Sequence, residues 1–90
     1  MDKIDANTAM EELTMMLLYL SHFTEKNRFA NAEDYYAWKG YDFDVLNKLD
    51  EEDLIRQGSH PARSKSVYIT EDGIKRAKEL MEKYGILDWK

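Results

Sequence analysis

The segment LNKLDEEDLIRQGSHPARSKSVYITEDGIKRAKEL, residues 46–80, decides how this chain folds. Leu46 and Leu49 stand at helical spacing. With Phe43 they form the inward side of a helix over residues 42–52, for which Asp42 offers an N-cap oxygen. Leu54 and Ile55 follow as a short buried strand. Gly58 and Pro61, the only proline, place a turn across residues 57–64. Residues 65–70 then alternate, Val67 and Ile69 on one face and Ser66 and Tyr68 on the other, as a half-buried strand requires. Thr70 caps a last helix over residues 71–84, whose Ile74, Ala77, Leu80, Met81 and Tyr84 share one side. Gly85 ends it, because glycine takes the left-handed C-terminal position without strain. The segment thus reads helix, two-stranded wing over residues 54–70, helix.

Working outward, residues 5–24 predict a long first helix, rich in helix formers and with Asp5, Glu11 and Glu12 towards its positive end. Met10, Leu13, Leu17 and Leu20 make one apolar stripe. Met16, Leu18, Tyr19 and Phe23 widen it beyond one core face, so this helix is expected to be covered on two sides. Residues 25–31 are mostly polar and read as a loop. Residues 32–39, with Tyr35, Tyr36 and Trp38, read as a short helix ended by Gly40. The expected fold is α+β, mainly α: a winged helix-turn-helix of three to four helices and a two-stranded β-hairpin wing. Residues 1–90 form a single domain in this reading, since ninety residues suit one hydrophobic core.

Leu46, Leu49, Asp53, Leu54 and Ile55, followed beyond the turn by Val67, Ile69, Thr70, Gly73 and Ala77, resemble the helix, wing and final helix of bacterial winged-helix regulators of the MarR and PadR kind. The pattern departs at Asp53, where those proteins have glycine. Aspartate tolerates the left-handed conformation better than most residues, so the helix exit is preserved. Over nearly its full length the chain is also similar to a family of small bacterial proteins known only as a domain of unknown function. Ala37-Trp38-Lys39-Gly40-Tyr41-Asp42 and Lys65-Ser66-Val67-Tyr68-Ile69-Thr70-Glu71-Asp72-Gly73 carry that similarity. It implies a bacterial origin and a shared fold, and brings no activity or ligand with it.

The hydrophobic fraction of 43% and aromatic content of 12% suffice for a packed interior. The chain has no cysteine, which removes disulfides and thiolate zinc sites. Its start lacks a secretory pattern and its longest apolar run, residues 15–20, is too short to span a bilayer. A cytoplasmic protein without membrane association is therefore expected. The net charge of −5 disfavours non-specific attraction to phosphate backbones or anionic lipid. That charge is uneven, with −5 on residues 42–53 against +3 on residues 54–70.

No nucleophile has an identifiable base, and His22 and His60 stand apart from metal-ligand partners, so an enzyme, a metal and a cofactor are not expected. Function must be sought on surfaces. Arg56, His60, Arg63 and Lys65 place positive charge on the wing, where it serves anion or nucleic-acid contact, or simply solvates an edge hairpin. In a DNA reader, Lys48 and Asn47 would face the bases from an otherwise acidic helix. Tyr35, Tyr36, Trp38 and Tyr41, with Phe43, crowd aromatics into nine residues; core filling by Trp38 and Phe43 and an exposed protein interface are both open. Met16 and Tyr19 on the first helix and Leu87 and Trp89 in the tail exceed what one small core needs. Homodimerisation or a tail folded back on the first helix would each cover them. The expected role is a protein-interaction or self-association module; the alternative is a DNA-binding regulator holding the backbone with its wing.

Overall fold

The computed structural model describes residues 3–27, 32–57 and 65–89. It contains three helices, α1 (Ala6–Leu20), α2 (Phe43–Glu51) and α3 (Glu71–Tyr84). Four strands, β1 (Phe23–Asn27), β2 (Ala32–Trp38), β3 (Ile55–Arg56) and β4 (Ser66–Ile69), form an antiparallel sheet in the order β1-β2-β4-β3. The fold is α+β; β3 and β4 pair as the hairpin reading expects, with Ile55 opposite Ile69 and Arg56 opposite Tyr68, but they belong to a four-stranded sheet where two strands were expected, because β4 also pairs with β2. His60 and Arg63, with the turn at Gly58 and Pro61, lie outside the described residues. Among the described residues no helix is long and apolar enough to cross a membrane.

The expected helix over residues 32–39 is strand β2. Tyr35 and Ala37 align with Ile69 and Val67 on the core face, while Tyr36 and Trp38 align with Tyr68 and Ser66 on the other. That is a period of two. Aromatic residues fit a pleated, half-buried surface, and here pairing with β4 outweighs a weak helical tendency. α1 is correspondingly shorter than the expected 5–24. It ends at Leu20, where Ser21 donates from both its amide and its hydroxyl to the Leu17 carbonyl. Phe23 opens β1, which pairs with β2 from Phe23–Tyr36 to Asn27–Ala32. Residues 25–27, read as loop, thus belong to an edge strand, whose polar composition is what an edge tolerates.

The faces of α1 also differ from expectation. Met15, Met16, Leu18 and Tyr19 are buried with Ala37, Leu46, Leu49, Ile55, Val67, Ile69, Ala77, Leu80 and Met81 in one core. The stripe of Met10, Leu13 and Leu17 is exposed instead. Buried Glu12 ties α1 to α3: it accepts from the Tyr84 hydroxyl at 2.6 Å and from Lys83 at 3.3 Å, and it pairs with Arg76 at 3.5 Å. Phe43, expected to face inward from α2, is exposed, leaving Leu46 and Leu49 as that helix's buried residues.

The caps of α2 and α3 behave as read. Asp42 accepts from the Val45 amide, and the Thr70 hydroxyl accepts from the Gly73 amide. Gly85 is left-handed at φ 72°, with Ile86 N–H donating to the Met81 carbonyl at 2.8 Å. α2 ends the same way without glycine: Asp53 has φ 60°, and Leu54 N–H donates to the Leu49 carbonyl at 3.0 Å. The Leu54 carbonyl then accepts from the amide of Thr70, whose hydroxyl donates to the Asp53 carbonyl at 2.6 Å. Gly73 packs directly against this carbonyl, which lies 2.0 Å from where a Cβ would stand.

Gly73→Ala must therefore displace backbone, whereas an added methyl at Gly40 meets nothing within 4 Å. Urea unfolding is expected to show Gly73→Ala losing about 1–3 kcal/mol or more, the cost of overpacking, with Gly40→Ala near neutral. For Glu12, the Tyr84 hydrogen bond, aided by Lys83 and Arg76, outweighs burial and holds its pKa below the usual carboxylate value. A carboxylate with a lowered folded pKa contributes stability above its unfolded pKa and loses it as pH falls through the folded value. Glu12→Gln is expected to cost about 1–3 kcal/mol at neutral pH. That difference should fade below about pH 4 in unfolding curves recorded across the acid range.

Candidate functional site

The sheet face turned away from the core is an aromatic platform. Cross-strand register sets Phe23, Tyr36, Tyr68 and Arg56 side by side in one row, with Trp38 and Ser66 in the next. The rings touch across the strands. Phe23 and Tyr36 lie 6.1 Å apart between centroids, Tyr36 and Tyr68 5.7 Å, and Phe23 and Trp38 4.8 Å. Phe23, Tyr36 and Tyr68 are half-buried, and Trp38 is 62% exposed, so the ring faces are not consumed by the core. Neighbouring strands stand about 4.8 Å apart, which is why residues directly opposite one another bring such rings together.

A second surface runs along α1. Ala6, Met10, Leu13 and Leu17 are exposed and Leu20 half-buried, with Leu13 at 53% and Leu17 at 49%. The tail continues it. Trp89 donates its indole N–H to the Leu20 carbonyl at 2.8 Å, and Asp88 accepts from the Tyr19 hydroxyl at 2.8–2.9 Å. This bond and burial push the Tyr19 hydroxyl well above the ordinary phenol range, burial being the larger cause. The tail thus folds back on the first helix, yet Leu87 is 91% and Trp89 68% exposed.

Of the aromatic cluster, Tyr36 and Trp38 belong to the platform, while Tyr35 and Tyr41 pack against the core as half-buried residues. Trp38 and Phe43, open candidates for core filling, are both exposed. Met16 and Tyr19 are core residues, at 2% and 4% exposure, and offer no outward contact surface. His22 stacks between Tyr19 and Tyr35, with centroids 5.2 and 4.2 Å away, and its Nδ1 meets the Tyr19 carbonyl. Asn47 accepts from the Gln57 side-chain amide at 2.9 Å, at the base of the wing, and Lys48 pairs with Glu52 at 3.8 Å. Arg56 and Lys65 are exposed. Among the described residues neither enters an ion pair, and none of them form a group of three or more His, Asp or Glu placed to hold a metal.

Sequence reasoning missed the platform because Phe23 was assigned to a helix and Tyr68 only to the outward side of a strand. The signal available was the density of aromatic residues at Tyr35, Tyr36 and Trp38, which suits a pleated strand at least as well as a helix. Charge divides along the same lines. The segments that build the sheet and wing, residues 23–39 and 54–70, hold six Lys or Arg against three Asp or Glu. The remainder holds seven against fifteen, so a net +3 on one part faces −8 on the other.

Residues 6–87 match the family model described as Domain of unknown function (DUF6429). No curated protein matches the chain, and no solved structure does.

The two sheet faces should respond differently to truncation. Trp38→Ser is expected to cost no more than about 0.5–1.5 kcal/mol, the worth of one aromatic pair. Ile69→Ala, on the buried face, is expected to cost about 2–5 kcal/mol. Parallel thermal or urea melts measure both.

Proposed function

We propose that this chain, which belongs to the DUF6429 family of domains of unknown function, is a non-catalytic interaction module that pairs with a second copy of itself through α1. One observation carries the reading: Ala6, Met10, Leu13, Leu17 and Leu20 recur at alternating steps of four and three, the a/d seam of a two-stranded coiled coil. α1 already gives its opposite side to the core, so it carries apolar residues on two sides, and the outer one is left without a partner in the monomer. A helix of 15 residues is about 22 Å long, enough for two turns of seam contact on either side of a two-fold axis.

Charge supports a like partner. The seam and its flanks, Asn7, Ala9, Thr14, Met16 and Ser21, carry no ionisable group, and the acids nearest to it, Glu11, Asp42 and Asp44, stand beside Asn7 and Met10 at one end. The seam alone is small against the roughly 800 Å² per partner of a standard interface. Leu20 joins it to Trp89 and the tail, which extends the apolar surface. The duplex-reading alternative has less support, since α2 and its C-cap turn Asp44, Glu51 and Glu52 to solvent beside the single exposed Lys48, and Asn47 is held by Gln57.

Sedimentation equilibrium over a wide concentration range tests the reading. A monomer–dimer equilibrium is expected, and the double variant Leu13→Asp, Leu17→Asp should stay monomeric with an unchanged circular dichroism spectrum. Monomer mass at every concentration would refute self-pairing. A dimer undisturbed by the double variant would move it off α1.

A further inference from the structure

From the platform we infer that the outer face of the sheet binds single-stranded nucleic acid by stacking unpaired bases on Trp38, Phe23, Tyr36 and Tyr68, with Arg56 holding the phosphate backbone. The rings form a continuous surface across three strands, at centroid steps of 6.1 and 5.7 Å along the row and 4.8 Å to Trp38. Single-strand binders combine such aromatic faces with a positively charged track for the backbone, because every base presents a π-face and every nucleotide a phosphate. Both elements are present here. Arg56 stands opposite Tyr68 on the same face and is exposed, and exposed Lys65 immediately precedes β4, where its carbonyl accepts from Lys39 N–H.

Charge selects the occupant. A phosphodiester strand is drawn to Arg56, Lys65 and Lys39 at the sheet and repelled by the acidic end of α2. An acidic peptide would share the attraction but would bring no series of planar faces to the rings. Duplex DNA keeps its bases stacked on one another, so the platform offers it nothing. The direction of the track follows from the face itself: Asp34, whose register partner is Glu25, lies on it on the far side of Tyr36 and Phe23 from Trp38, and Arg56 lies on the β4–β3 side. The strand is therefore expected to cross the sheet from Phe23 and Trp38 towards Tyr68 and Arg56. This inference is independent of self-pairing, since α1 packs on the opposite side of the sheet.

The test uses the full chain and fluorescein-labelled oligothymidylate, oligouridylate and a hairpin duplex of equal length, titrated by anisotropy at low and moderate salt. Binding of the single strands over the duplex is expected, strongest at low salt, with the two single-strand arms separating DNA from RNA preference. Trp38→Ala and Tyr68→Ala should each weaken binding by about five- to hundred-fold, the effect of losing one stacking ring, while Trp38→Phe retains most of it. Arg56→Gln should lower the salt slope by about 0.7. In a Trp89→Phe background, leaving Trp38 as the one tryptophan, binding should quench its fluorescence. No single-strand binding at low salt, preference for the duplex, or equal affinity of folded Trp38→Ala and the parent would overturn the inference. Loss of self-association instead of nucleic-acid binding in the ring variants would also overturn it, by making the platform a protein interface.

Discussion

The carbonyl of Leu54 is the point on which the architecture turns. It accepts from the amide of Thr70 at 3.1 Å, while the Thr70 hydroxyl donates to the neighbouring Asp53 carbonyl at 2.6 Å, and it lies against Gly73 where no side chain fits. Thr70 caps α3 while Leu54 leads from α2 into β3, so one acceptor fixes the end of one helix, the start of the next and the wing between them. The left-handed turn at Asp53 aims that carbonyl, with Leu54 N–H returning to Leu49. A residue intolerant of positive φ at position 53, or any side chain at position 73, separates α3 from the wing. Because β4 also pairs with β2, the same junction determines whether the aromatic rings line up on the outer face.

Around this junction the molecule divides into a helical layer and a sheet layer of different surface chemistry. α1 faces the core with Met15, Met16, Leu18 and Tyr19, is fastened to α3 by Glu12, and is held at its far end by Asp88 and Trp89 of the tail. These contacts leave its seam uncovered. The sheet leaves its rings uncovered on the opposite side, beside cations and away from most of the acidic residues. The chain thus presents two chemically distinct surfaces: one apolar, one aromatic and bordered by positive charge.

Much of the second half was legible because its signals are local. Asp42 and Thr70 as caps, Gly85 as the left-handed stop, Asp53 as a tolerated substitute for glycine, and the alternation of Ser66, Val67, Tyr68 and Ile69 all depend on neighbours within a few residues. The first half was less legible because its outcome depends on partners distant in sequence. Tyr35 to Trp38 become a strand through pairing with residues 66–69, and the faces of α1 are assigned by where α3 and the sheet stand. Composition showed that α1 carried more apolar surface than one face needs, but not which stripe would remain outside. The aromatic excess was visible in the same way, while the platform required the register of three strands.

The central claim is that the uncovered seam of α1 meets its own copy. Isotope-filtered nuclear Overhauser spectroscopy on a mixture of labelled and unlabelled chains tests it most directly. The account predicts intermolecular cross-peaks among the methyl groups of Met10, Leu13 and Leu17. Intermolecular cross-peaks confined to Trp38 and Tyr68, or none at concentrations where the mass is dimeric, would contradict it.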